Sequence, residues 1–128
     1  MAASTGGGTK ILVVDDNRDA ADMLTMVLEL AGHEVRTAYD GTDALRLAEV
    51  FLPRVMLLDI GMPLMDGYQA ARQIRDRTWG KSMVLVALTG WGQEQDRRRT
   101  REAGFDHHLV KPVDPQAISE LIEEVKLS

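Results

Sequence analysis

Three short, uninterrupted apolar runs, ILVV at residues 11–14, VMLL at 55–58 and MVLVAL at 83–88, are separated by longer stretches whose apolar residues recur at helical spacing. A strand with one wet face alternates apolar and polar residues. A run without alternation suits a strand covered on both faces, as in a parallel sheet held between two helical layers. Residues 33–38 and 106–110 are more polar and read as outer strands of the same sheet. Between strands, Ala20, Met23, Leu24, Val27 and Leu30 keep helical spacing, as do Ala44, Leu45, Leu47 and Ala48 after the turn residues Asp40 and Gly41. A third helix is predicted over residues 66–77, and the last carries the stripe Ile118, Leu121, Ile122 and Val125. The fourth helical segment, residues 93–102, contains no apolar residue and is expected to pack only at its ends, through Trp91, Ala103 and Phe105. Its early Glu94 and Asp96 and its later arginines nevertheless suit the helix dipole. The pattern is five βα units of an α/β domain.

At 128 residues the chain has room for one core. Residues 1–9 are small and polar, with three consecutive glycines, so the expected division is a flexible tail over 1–9 and a folded domain over 10–128. Fifteen Lys and Arg against 20 Asp and Glu give a formal charge of -5, which opposes attraction to nucleic acid and to anionic membranes. No cysteine is present, which removes disulfides, thiolate metal sites and cysteine nucleophiles together. The apolar runs fall far short of the roughly 18 residues a membrane-spanning helix needs, and the first ten residues lack a signal-peptide core. A cytoplasmic location is the expectation.

In an open parallel sheet, ligands bind outside the carboxyl ends of the strands. The polar residues that end the apolar runs are therefore the candidates for chemistry. The first run ends in Asp15 and Asp16, the third strand in Asp59, the fourth in Thr89 and the fifth in Lys111, followed by Pro112. Singly, each has an ordinary reading: Asp16 or Asn17 can cap a helix, Asp59 can open a loop, and Thr89-Gly90 can be a turn. Together they place three carboxylates in the middle of a sheet, where each raises the others' cost of ionisation. Such a cluster calls for a cation. Mg²⁺ prefers oxygen ligands and keeps several waters, and a phosphoryl oxygen can complete its shell, flanked by a hydroxyl and an ammonium.

These residues resemble the receiver domains of two-component response regulators, of the chemotaxis-regulator type. The segments that carry the resemblance are ILVVDDN at 11–17, VMLLDIGMPLMDG at 55–67, VALTG at 86–90 and AGFDHHLVKP at 103–112. The resemblance implies a doubly wound, flavodoxin-like (βα)5 fold with strand order 2-1-3-4-5. It implies that Asp59 is the phospho-acceptor, and that Mg²⁺, or Mn²⁺ in its place, is held by Asp16, Asp59 and the backbone carbonyl of Gly61, with Asp15 acting through water. Thr89 would contact the phosphoryl oxygens and move on phosphorylation, and Lys111 would pair with the phosphoryl charge, positioned by a cis bond to Pro112. The implied partners are a histidine kinase or histidine phosphotransfer protein as donor, and a downstream target or attached domain read by the surface of helix 4, strand 5 and helix 5. The longer stretch AGFDHHLVKPVDP is similar to receivers attached to hybrid histidine kinases.

Two positions depart from the commonest family pattern. His108 stands where Tyr or Phe is usual, at the switch residue whose rotation accompanies the threonine. Trp91 is bulky for its place two residues after Thr89. His107 and His108 are adjacent on a strand and so point to opposite faces, which argues against a shared metal. His33, just after Gly32, reads as turn surface.

Other functions fit less well. A small aspartyl-phosphate phosphatase of the haloacid-dehalogenase type needs a second acid two residues after its nucleophile, and Gly61 stands there. A receiver-shaped interaction module that does not use phosphate would be expected to lack an acid, the Thr or the Lys. A flavodoxin-like carrier would need a phosphate loop where this chain has Asp15, Asp16 and Asn17. The expected role is thus a signalling phospho-acceptor that assists its own phosphorylation and dephosphorylation, not a classical enzyme.

Overall fold

The computed structural model describes residues 8–90 and 97–127. Its strands are β1 (Lys10–Val14), β2 (Glu34–Ala38), β3 (Val55–Asp59), β4 (Val84–Thr89) and β5 (His107–Val110). They alternate with helices α1 (Arg18–Leu30), α2 (Gly41–Phe51), α3 (Gly67–Asp76), α4 (Arg97–Ala103) and α5 (Pro115–Leu127). A short 3-10 turn, Thr78–Gly80, between α3 and β4 was not anticipated. All pairings are parallel, and the order is β2-β1-β3-β4-β5. Fold and order are those the resemblance implies.

The apolar runs lie in the middle of the sheet, and consecutive residues feed opposite cores. Leu12, Val14, Met56, Leu58, Leu85 and Ala87 pack on one face with Ala44, Ala71 and Ile74 of α2 and α3. Ile11, Val13, Val55, Leu57, Val86 and Leu88 pack on the other with Leu28, Ile118 and Ile122 of α1 and α5. This two-sided burial is why the runs show no alternation. Side-chain caps start three helices near the carboxyl edge of the sheet. Asn17 accepts from the Ala20 N–H at 3.1 Å, Asp40 from Asp43 at 2.8 Å, and Asp66 forms a reciprocal capping box with Gln69.

Three local expectations change. Within α4, Thr100 is only 7% exposed and the Arg99 guanidinium sits 4.1 Å from the Tyr68 ring centroid, so the helix is also anchored between its ends. A buried threonine and a guanidinium over a ring are contacts that an apolar count overlooks. The expectations for Trp91, Gln93, Glu94 and Asp96 fall outside the described residues. His33 is half-buried, and its Nδ1 accepts the Thr9 N–H at 3.1 Å. Thr9 is itself buried, and its carbonyl accepts from Glu34 at 3.1 Å, so chain order begins before residue 10.

The amino edge of the sheet is tied by one side chain that periodicity cannot reveal. Arg75 Nε donates to the Gly104 carbonyl at 2.9 Å, and Nη1 to those of Gly80, Lys81 and Met83 at 3.0, 3.2 and 2.7 Å. Nη2 pairs with Asp106 Oδ2 at 2.7 Å, and that oxygen also accepts the Leu85 N–H at 2.8 Å. Among the described residues, no helix is long and apolar enough to cross a membrane.

Candidate functional site

Neighbouring strands bring the predicted residues together at the carboxyl edge. Val14 stands beside both Ala38 and Leu58, Asp59 beside Leu88, and Thr89 beside Val110. The residues that follow these pairs in β1 and β5 are Asp15 and Lys111. The Asp15 N–H continues the ladder to the Ala38 carbonyl at 3.2 Å, and the Lys111 N–H to the Thr89 carbonyl at 2.7 Å. The Lys111–Pro112 bond is cis, as the resemblance implied.

Lys111 closes the site. Its Nζ lies 2.9 Å from Asp15 Oδ2 and 3.2 Å from Asp59 Oδ2, bridging the two carboxylates. Each carboxylate's other oxygen takes a backbone donor: Asp15 Oδ1 accepts from Asn17 at 3.0 Å, and Asp59 Oδ1 from Gly61 at 2.9 Å. Both Asp side chains are therefore held by a cation and an amide. Asp16 is exposed, and one oxygen from each of Asp15, Asp16 and Asp59 falls within 4.8 Å of the others. Thr89 is fully buried, and its hydroxyl donates to the Leu109 carbonyl at 3.4 Å.

Burial raises the Asp15 pKa from its ordinary 3.8. The Lys111 and Asn17 hydrogen bonds oppose that rise, and the Asp59 charge reinforces it. Burial alone would lower Lys111, but the hydrogen bond to Asp15 and the charge of Asp59 outweigh it and leave the ammonium above its ordinary 10.5. Three carboxylates against one ammonium leave two negative charges, which one divalent cation balances. The all-oxygen donor set, with exposed Asp16 and Gly61 beside two buried acids, fits Mg²⁺.

Gly67 contributes in a way its place in a motif does not disclose. A Cβ there would lie 2.7 Å from Ile60 Cα and 2.8 Å from the Asp59 carbonyl oxygen, so only glycine lets α3 start against the end of β3. His107 pairs with Val86 and His108 with Ala87, residues of opposite cores, so the two imidazoles do face opposite sides. His108 borders a cavity of about 190 Å³ with Thr100, Arg101 and Phe105. Among the described residues, the one grouping of metal-binding side chains is Asp15, Asp16 and Asp59.

The family model for the response regulator receiver domain matches residues 11–123. The chain belongs to that family. Receiver domains of this family serve two-component signalling, and the fold and the acidic site are those described above. The receiver is 37% identical over 118 residues to an uncharacterized 14.6 kDa protein of Leptolyngbya boryana, covering 92% of this chain and 90% of that one. It is 35% identical over 116 residues to the protein PilH of Pseudomonas aeruginosa, covering 91% and 96%. A solved structure, the receiver domain of sensor histidine kinase PA1611 from Pseudomonas aeruginosa with a magnesium ion coordinated in its active site cleft, superposes with a TM-score of 0.85 at 30% identity, covering 94% of this chain and 99% of that one. The receiver spans about half the length of other curated relatives, 44% of one probable transcriptional regulator and 47% of another.

Proposed function

We propose that Asp59 accepts a phosphoryl group from a partner's phosphohistidine, with Mg²⁺ held by Asp16, Asp59 and the Gly61 carbonyl and, through water, by Asp15. The observation that carries this reading is the double reach of Lys111 to Asp15 and Asp59, with the Thr89 strand end beside it. A bound Mg²⁺ supplies charge neutralisation for the phosphoryl oxygens and relieves repulsion among the acids.

The Gly61 amide and Lys111 orient the Asp59 carboxylate, leaving an oxygen lone pair for in-line attack on phosphorus. The new O–P bond forms as the N–P bond to the donor imidazole breaks, and the leaving nitrogen keeps the electron pair or takes a proton from solvent. Lys111 then follows the developing charge on the transferred group, and the Thr89 hydroxyl, held to Leu109 only at 3.4 Å, turns toward a phosphoryl oxygen. Because Thr89 stands beside Val110 on β5, that turn biases the surface of α4, β5 and α5, including His108. The downstream partner reads this surface.

A protein donor is supported by an apolar groove of about 310 Å³ along α1. Met23, Leu24, Val27 and Val113 line it, with Asp15 and Lys111 in its wall. Met23 is largely exposed there, an arrangement suited to an apolar helix that carries its phosphohistidine over Asp59.

The test is intact-mass measurement after incubation with acetyl phosphate and Mg²⁺. The parent should gain one phosphoryl group and Asp59→Asn none. Undiminished labelling of Asp59→Asn would overturn the assignment.

A further inference from the structure

Among the described residues, two other than glycine hold left-handed backbone, Leu52 at φ 54° and Leu64 at φ 68°. Leu52 has a local reason. It is the C-cap of α2, its N–H bonds the Ala48 carbonyl at 2.9 Å, and helices commonly end in this conformation. Leu64 ends no helix. It lies between β3 and α3, and both residues flanking its Pro63–Leu64 corner are anchored inward: Met62 is buried, and Met65 packs against the core where Gly41 makes room for it. The Asp66 capping box then fixes the entry to α3. The chain between these anchors turns Leu64 outward, and its side chain is 103% exposed.

A left-handed conformation disfavours any side chain with a Cβ, and a fully exposed leucine returns no burial within its own chain. Glycine, asparagine or aspartate would suit the backbone better. The loop that presents Leu64 is also tied at both ends, to the acceptor and to the residue after it. Gly61 donates to Asp59 Oδ1 at 2.9 Å, and Gly67 closes the loop on the Ile60 carbonyl at 3.4 Å. Since β1 and β3 are adjacent, this loop and α1 flank Asp59.

We infer that Leu64 is a specificity-determining contact for the protein that delivers phosphate to Asp59. Its side chain is buried against apolar surface around the donor's phosphohistidine during transfer. This inference rests on the reading of Asp59 as acceptor. A small phosphodonor such as acetyl phosphate has no such surface and does not engage Leu64.

The experiment compares the parent chain with Leu64→Gly, Leu64→Asn and Leu64→Met. Each is labelled by acetyl phosphate and by a phosphorylated histidine phosphotransfer domain, the fastest donor of a purified panel. Leu64→Gly and Leu64→Asn should melt no lower than the parent and label with acetyl phosphate within about twofold of it. Transfer from the protein donor should fall about tenfold in kcat/KM, chiefly through KM, the order that burial of one aliphatic side chain supplies, and Leu64→Met should restore most of it. Parent-like transfer to the glycine and asparagine variants would overturn the inference. So would a parallel loss of acetyl phosphate labelling, or a parent that acetyl phosphate labels and no phosphotransfer domain does. Failure of acetyl phosphate to label Asp59 of the parent would instead overturn the acceptor reading beneath it.

Discussion

One cation organises each edge of the sheet, and the two are used in opposite ways. At the amino edge, Arg75 directs its planar fork into four carbonyls and Asp106, so each of its three nitrogens has an acceptor and the ion pair is locally neutral. At the carboxyl edge, Lys111 is a flexible point charge set between Asp15 and Asp59, with Asp16 nearby and two negative charges left over. A balanced, saturated cluster is scaffold, because nothing remains for a ligand to satisfy. A cluster with residual charge and an exposed carboxylate is poised to bind. The contrast separates a saturated polar network from one with charge left over.

The largest stability effect should come from the amino edge. Arg75→Ala should lower stability by about 2–4 kcal/mol, because it strands Asp106 and several carbonyls together, while the folded fraction still labels on Asp59. Urea unfolding and intact-mass labelling measure the two sides. A loss of labelling at full stability would break the proposed division between scaffold and site.

Divalent metal should act only on the other edge. At a hundredfold excess of Mg²⁺ over its Kd, unfolding free energy should rise by about 2.7 kcal/mol. Asp16→Ala should remove most of that rise, and Arg75→Lys should leave it intact. Thermal melts against Mg²⁺ concentration decide this, and an undiminished rise in Asp16→Ala would exclude Asp16 as a direct ligand.

A smaller effect follows from the raised Asp15 pKa in metal-free protein. A carboxyl whose folded pKa lies above its unfolded value contributes stability that is fully present below about 3.8 and is lost as pH rises through the folded value. Asp15→Asn should therefore flatten that part of the metal-free profile. Lys111 has the same sign at the alkaline end: its contribution is full below about 10.5 and is lost above its raised folded pKa, and its 27% exposure makes it modest. Denaturant midpoints against pH, measured in chelator, give both slopes. A parent profile that Asp15→Asn reproduces would remove the electrostatic distinction between the edges.

The smallest change is expected at His108, on the edge strand that joins the two regions. His108→Tyr should retain Asp59 labelling while reducing the pH dependence of partner affinity between about 6 and 7.5, because it removes an ionisable ring from that surface. Superimposable affinity profiles would make His108 a passive occupant of its position.

Much of this was legible in the chain because the signals are local. Period and burial are linked by geometry, so the uninterrupted runs at 11–14 and 55–58 disclosed a sheet covered on both faces. Strand ends follow from where those runs stop, which is why Asp15, Asp59, Thr89 and Lys111 could be placed on one edge. Asn17, Asp40 and Asp66 cap their helices through atoms only three residues away. Tertiary structure alone decided what depends on partners distant in sequence. Arg75 bonds mostly to carbonyls, which every residue carries, so no residue type marks its acceptors. Thr100 and His33 are polar by composition, yet their neighbours bury the first and half-bury the second, and the bridging position of Lys111 exists only once β1, β3 and β5 are aligned in one sheet. Leu64 reads as an ordinary apolar residue, and only the inward anchoring of Met62 and Met65 turns it to solvent. Periodicity records the face a residue occupies, whereas the partners of a charge or a loop side chain are set by which distant atoms the fold brings within a few ångströms.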